Sequence, residues 1–120
     1  MAKGNSSLRD QLSRSREITI SVTGRKSGRT IANPVWFVVD GDTLYLLPVK
    51  GSDTQWYKNV IEKPSLRIEA GSAAEQLRVR AVTEAKQVAL VAEKFRSKYG
   101  AGDVKKYYSK FDVAVLAQLQ

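Results

Sequence analysis

Pro34-Val35-Trp36-Phe37-Val38-Val39-Asp40-Gly41-Asp42-Thr43-Leu44-Tyr45-Leu46-Leu47-Pro48 consists of two apolar runs joined at a polar dipeptide. Asp40-Gly41 tolerates the positive φ angles of a tight turn, so the stretch predicts a β-hairpin. Upstream, Ile18, Ile20 and Val22 alternate with Thr19, Ser21 and Thr23, the period-two pattern of a strand with one buried face. Downstream, Leu66, Ile68 and Ala70 predict another strand. After Gly71-Ser72, Leu77, Val79 and Ala81 alternate with Arg78 and Arg80 to predict a fifth, and alternation from Val113 to Leu119 closes the chain with a sixth.

The helical signals lie between these strands. A short helix is expected from about Leu8 to Ser15, after a polar, flexible tail at about residues 1–7. Ser52 followed three residues later by Gln55 has capping-box spacing, with Trp56, Tyr57, Val60 and Ile61 on one face of the helix that follows and Pro64 ending it. Thr83 is placed to cap a long helix carrying Val88, Val91, Ala92, Phe95 and Tyr99, which Gly100 ends; a shorter one is expected near Asp103 to Ser109. Six strands interrupted by helices, without a βαβ rhythm, predict a mainly β, α+β chain: a six-stranded antiparallel barrel with peripheral helices.

A chain of 120 residues, 42% hydrophobic, is the size of one domain with one core. Its formal charge of +8 is concentrated early: Lys3, Arg9, Arg14, Arg16, Arg25, Lys26 and Arg29 face only Asp10 and Glu17 before residue 31. Such a field favours anionic partners. With neither cysteine nor histidine, the sequence excludes disulfides, thiol nucleophiles, histidine bases and His/Cys metal cages, and the scattered carboxylates match no cation-binding loop, so no metal is expected. The sequence shows no transmembrane run and no secretory signal, and a cytoplasmic location is expected.

Thr23-Gly24-Arg25-Lys26-Ser27-Gly28-Arg29-Thr30 is the segment richest in chemistry. Two glycines let backbone N–H groups converge, and three cations with two hydroxyls add donors suited to phosphate oxygens. The spacing is not that of a nucleotide-hydrolase P-loop; the bland alternative is a solvated loop. Val49-Lys50-Gly51-Ser52, ending at an expected helix start, is a second, weaker anion signal whose alternative is a plain helix cap. Trp56 or Tyr57 could pack on a flat ring and Asn59 could bond its polar edge, although aromatics at helical spacing, like Trp36 and Phe37, also read as core. Tyr107 and Tyr108 are candidate proton donors, or simply an aromatic pair covering a helix.

In combination, Thr23 to Gly28, Pro34-Val35-Trp36-Phe37, Asp40-Gly41-Asp42, Lys50-Gly51-Ser52, Trp56-Tyr57-Lys58-Asn59 and the C-terminal Lys94 to Tyr99 and Tyr107 to Val115 resemble the deazaflavin (F420)-dependent nitroreductase family. These are split β-barrel flavin and deazaflavin oxidoreductases related to pyridoxamine-phosphate oxidases. The resemblance implies a single split β-barrel domain over residues 1–120, with a cofactor phosphate on Arg25, Lys26, Ser27 and Gly28. Lys50, Gly51 and Ser52 would assist, and the ring would lie along Pro34, Val35, Trp36 and Val49, near Trp56 and Asn59. Ile31 departs from the pattern, standing where many members have arginine.

The expected activity is hydride transfer between F420, or alternatively FMN, and a small electrophilic acceptor such as a quinone, nitroaromatic or enone. A cofactor does not require histidine or cysteine from the protein, because it brings its own reactive atom. The alternatives are a non-catalytic flavin or deazaflavin carrier, which would bind without turnover, and a basic nucleic-acid-binding domain. The last is disfavoured because no aromatic platform or basic recognition stripe accompanies the charge. These expectations leave room for a homodimer.

Overall fold

The computed structural model describes residues 3–119, with side chains from Leu8 onward. The chain runs α1 (Lys3–Arg14), β1 (Ile18–Thr23), β2 (Thr30–Val35), β3 (Phe37–Asp40), β4 (Thr43–Leu46), a 3-10 turn (Gly51–Asp53), α2 (Gln55–Glu62), β5 (Ser65–Ala70), β6 (Ala73–Val82), α3 (Ala85–Tyr99), α4 (Ala101–Tyr107) and β7 (Ala114–Gln118). The strands form one antiparallel sheet in the order β2-β1-β5-β6-β7-β4-β3. Its two edge strands, β2 and β3, are consecutive in the chain on either side of Trp36, so the sheet must curl until its edges approach each other there. Ten-residue β6 makes the turn between halves: Ala73 to Arg78 pair with β5, and Val79 to Val82 pair with β7.

The hairpin forms as its sequence requires, with Phe37 opposite Leu46 and Asp40 opposite Thr43. Gly41 alone takes a positive φ, 62°, the position at which a type II′ turn needs glycine. The expectation of six strands is corrected to seven. The run from Pro34 to Asp40 is not one strand but breaks at Trp36, and its first part belongs to β2, which pairs with β1. β2 escaped notice because it is a largely exposed edge without apolar alternation, and an edge is also where Pro34, lacking an N–H, is tolerated.

Two cores explain the two hydrophobic patterns. Inside the curl, Ile18, Ile20 and Val22 meet Leu44, Leu46, Leu66, Ile68, Leu77, Val115 and Ala117, with Leu8 and Leu12 of α1 and Trp56, Tyr57 and Val60 of α2 joining them. Outside β3, β4 and β7, α3 and α4 cover a second layer containing Val38, Val88, Val91, Phe95, Tyr99, Val104 and Tyr108. Strands β3 and β4 are therefore buried on both faces and read as continuous apolar runs, whereas β1 and β5 turn one face outward and alternate.

Helix boundaries differ locally from expectation. The first helix begins at Lys3 rather than near Leu8; Met1 and Ala2 of the expected tail lie outside the described residues. The capping box does not form: Thr54 is the N-cap of α2, and Ser52 lies in the preceding turn, bonded elsewhere. Ile61 is 52% exposed, off the buried face of α2. Glu84 rather than Thr83 precedes α3, which ends at Gly100 with φ 98°.

Candidate functional site

Where the sheet edges converge, an open cavity of about 620 Å³ is walled by Asn33 to Trp36, Leu47, Val49 and Lys50, the start of α2 from Thr54 to Trp56, and Tyr107 and Tyr108 at the end of α4. Glu17 and Asp53 complete the lining. Trp36 is the keystone, because the chain leaves one sheet edge and enters the other at this residue. Its indole stacks on the Tyr99 ring (centroids 4.2 Å apart, planes 7° apart) and meets Tyr107 edge-on at 5.5 Å. Tyr99 in turn is locked: its hydroxyl accepts the Phe37 N–H at 3.1 Å and lies 2.7 Å from the carbonyl oxygen of Arg16 and 2.9 Å from that of Phe37. One aromatic wall of the pocket is thereby fixed by α3 before any ligand arrives.

The basic loop between β1 and β2 folds on itself, with Gly24 N–H donating to the Arg29 carbonyl at 2.7 Å and Gly28 N–H to the Gly24 carbonyl at 2.9 Å. Gly28 sits at φ 72°, which favours glycine. The Arg29 amide donates to Ser27 Oγ at 3.1 Å. Arg25 is clamped to α2: its amide and Nη1 donate to Asn59 Oδ1 at 3.0 and 2.7 Å, and its Nη2 donates to Gln55 Oε1 at 2.9 Å. Among the described residues, the amides of Lys26 and Ser27 donate to no protein acceptor. These two adjacent N–H groups lie between the exposed Lys26 and Arg29 side chains, donors of the kind an anion takes. Gln55 lines the pocket and holds Arg25, so one side chain separates this loop from the cavity.

The second expected anion loop is already occupied by the chain's own carboxylate. Ser52 donates its amide to Asp112 Oδ1 at 2.9 Å and its hydroxyl to Asp112 Oδ2 at 2.5 Å. The Ser52 hydroxyl is the main influence holding Asp112 below the usual carboxylate range, against a smaller opposing effect of burial. A Cβ on Gly51 would come within 2.1 Å of Asp112 Oδ1, so the close approach requires glycine. Lys110 bridges Asp53 and Asp112 at 3.1 and 3.7 Å. Of the lining charges, Asp53 is thus neutralised, Lys50 is the cation, and Glu17 is a carboxylate without an ion-pair partner among the described residues.

Burial, then the neighbouring Tyr99, drives the Tyr108 phenol far above its ordinary pKa, and the phenol stays neutral. Its hydroxyl has no protein partner, yet no buried side-chain polar atom among the described residues is unsatisfied, so this oxygen keeps some access to solvent, on a residue that lines the cavity. Tyr107 is 54% exposed and forms the outer rim.

The structure therefore brings together Pro34, Val35, Trp36, Val49, Lys50, Trp56, Tyr107 and Tyr108 around one cavity. Arg25, Lys26, Ser27 and Gly28 do not line it, Arg25 reaching it only through Gln55, and neither do Gly51, Ser52 and Asn59; Gly51 and Ser52 hold Asp112, and Asn59 braces Arg25. Sequence reasoning missed Glu17, Asn33, Leu47, Asp53, Thr54 and Gln55. Gln55 left a signal, forming with Asn59 a polar pair four residues apart on a helix that otherwise buries aromatics. The rest are joined by tertiary contacts alone. No helix among the described residues is long and apolar enough to cross a membrane.

Comparison with known structures shows the split-barrel fold. An F420-H2 dependent reductase (FDR-A) superposes with a TM-score of 0.66 at 17% identity, covering 86% of this chain and 94% of that one. The heme storage protein HutZ from Vibrio cholerae gives a TM-score of 0.70 at 11% identity, covering 98% and 91%. A putative pyridoxamine 5'-phosphate oxidase from Listeria innocua gives 0.67 at 11% identity, covering 98% and 93%. Such identities establish a shared fold and nothing about chemistry. No curated protein matches the sequence. The model of one bacterial family, described as "Uncharacterized protein conserved in bacteria (DUF2255)", matches residues 9–115, and the chain belongs to that family.

Proposed function

We propose that the protein is an oxidoreductase that holds a deazaflavin of the F420 type, with FMN as the alternative, and reduces a small electrophilic acceptor such as a quinone, nitroaromatic or enone. The observation that carries this reading is the pairing of a cavity of about 620 Å³, walled by a rigidly backed indole, with a loop whose Lys26 and Ser27 amides lack protein partners. The ring would supply hydride chemistry. Pro34, Val35 and Trp36 would pack against it on one side, with Val49 and Trp56 on the other walls. The Lys26 and Ser27 amides, with Lys26, Ser27 Oγ, Gly28 and Lys50, would hold its phosphate, and Arg25 would brace the loop rather than grip the ligand. Tyr108, kept neutral, would donate a hydrogen bond to a ligand oxygen but is too weak an acid to surrender its proton readily, so solvent entering the open mouth would reprotonate the product.

A heme reading is disfavoured by the sequence itself, which offers no histidine or cysteine as axial ligand. A non-catalytic carrier differs from the enzyme only in turnover. The unpaired edge of β2, with Ile31 exposed, provides a surface for a second copy, and a cytoplasmic homodimer is part of the proposal.

The deciding experiment is titration of the purified protein with F420, FMN, FAD and heme, followed by quenching of Trp36 and Trp56 fluorescence. Binding of F420 or FMN, weakened by about 1–3 kcal/mol in Lys26→Ala and in Lys50→Ala, is the expected result. No binding of either removes the proposal; binding without turnover across an acceptor panel leaves the carrier.

A further inference from the structure

A second open cavity, of about 680 Å³, lies between α1, β3 and α3, on residues that the proposed cofactor site does not use. Lys98 lines it, half-buried, with Nζ 3.6 Å from the centroid of the Phe37 ring and donating to the Phe37 carbonyl at 2.7 Å. No carboxylate among the described residues pairs with it. Asp40, the acid in the same cavity, is bonded to Lys94, and Arg9 of α1 is bonded to Asp42. Arg16, just before β1, lies 5.1 Å from the centroid of the Tyr99 ring, which Lys98 approaches at 5.0 Å; the neighbouring Glu17 acts on the Tyr99 phenol. Lys98 is thus partly removed from water, close to the cation Arg16 and denied an anion. Burial first and Arg16 second lower its pKa to about 8, so a usable fraction is neutral amine at physiological pH.

We propose that Lys98 is a reactive amine and that this cavity captures small anionic carbonyl compounds, of the α-oxo acid class, as an imine on Lys98 Nζ. The neutral amine would keep one N–H on the Phe37 carbonyl, leaving its lone pair to add to the carbonyl carbon. A C–N bond forms, the carbonyl oxygen takes up the protons that the amine gives off and leaves as water, and the C=N bond closes; nothing is oxidised or reduced. The cavity lining carries three cations, Arg9, Lys94 and Lys98, against the single carboxylate of Asp40, and this excess, with Arg16 close to Lys98, would attract the ligand's carboxylate. The Ser97 hydroxyl, which has no hydrogen-bond partner among the described residues, is placed on the same cavity wall to assist the departing oxygen.

The test is reductive trapping of the intact protein with glyoxylate and cyanoborohydride, followed by peptide mapping. Lys98 is expected to be the most heavily carboxymethylated lysine, with a labelling rate that rises through an inflection near pH 8. Lys98→Arg preserves a cation at the carbonyl of Phe37 and should remove that label while leaving the others. Arg16→Met raises the amine's pKa and removes an attraction for the anion, so it should slow labelling at pH 7.5 several-fold, and neutral propanal should label Lys98 more slowly than glyoxylate. Labelling spread evenly over exposed lysines such as Lys26 and Lys86 overturns the proposal on the wild-type protein alone. Equal rates with propanal overturn its claim of anion recognition.

Discussion

Replacing Asn59 with leucine tests whether this residue braces the basic loop or touches the ligand ring. Asn59 is 5% exposed, and its Oδ1 accepts two bonds from Arg25, one from the amide at 3.0 Å and one from Nη1 at 2.7 Å. Loss of a neutral amide bond costs about 1 kcal/mol, and loss of a bond to a charged donor about 1.5–3 kcal/mol. The Arg25 guanidinium is partly exposed and recovers water, so the lower part of the second range applies, and the sum is about 2–3 kcal/mol. For a chain of this length that corresponds to a fall in Tm of roughly 6–12 °C. Chemical denaturation of Asn59→Leu, Arg25→Met and the double variant measures it: if the two residues act through one another, the double variant loses much less than the two single losses combined. Asn59→Asp restores an acceptor and should recover most of the stability. Additive losses, or a destabilisation of Asn59→Leu under about 0.5 kcal/mol, refute the brace, because a ring contact would leave the ligand-free protein unaffected.

Gly51→Ala forces a Cβ to within 2.1 Å of Asp112 Oδ1 at φ 54°, and should lower stability by about 2–4 kcal/mol in urea titrations; a neutral effect would mean that the 51–52 turn is free to move. Trp36→Ala removes the indole stacked on Tyr99, and should cost about 2–4 kcal/mol and abolish cofactor binding, whereas Trp36→Phe should retain most of both, as read by thermal melts and ligand titration. On the alkaline side, the Tyr108 pKa is raised in the fold, so its contribution is full below the ordinary phenol pKa near 10 and is lost above it; Tyr108→Phe should flatten the fall of stability above that pH. Lys98 has the opposite sign. Its amine deprotonates near pH 8 in the fold but near 10.5 unfolded, so between these values the unfolded chain binds more protons and stability rises with pH. Comparison of wild type with Lys98→Met across pH 7 to 10 should therefore shift in favour of wild type, and a constant difference would show that the amine is not perturbed.

Local sequence determined the parts of this protein that depend on neighbours in the chain. The Asp40-Gly41 turn, the alternation of Ile18, Ile20 and Val22, and the helical spacing from Val88 to Tyr99 each specify an element, because turn geometry and burial periodicity are short-range. The fold-back of the glycine-bounded basic loop was legible for the same reason. What only the tertiary structure decided is the assignment of partners. β2 carries no apolar period because it is an exposed edge, so its existence depends on pairing with β1. Asp112 fills the Ser52 turn from 60 residues away, Asn59 serves Arg25 across 34, and Tyr99 backs Trp36 from the end of α3. Ser52 and Asn59 have the right chemistry for a ligand, but a hydrogen-bonding group takes whichever partner the fold brings nearest. That choice is made by the closure of the sheet at Trp36 and by the docking of α3 and α4, which no spacing along the chain encodes.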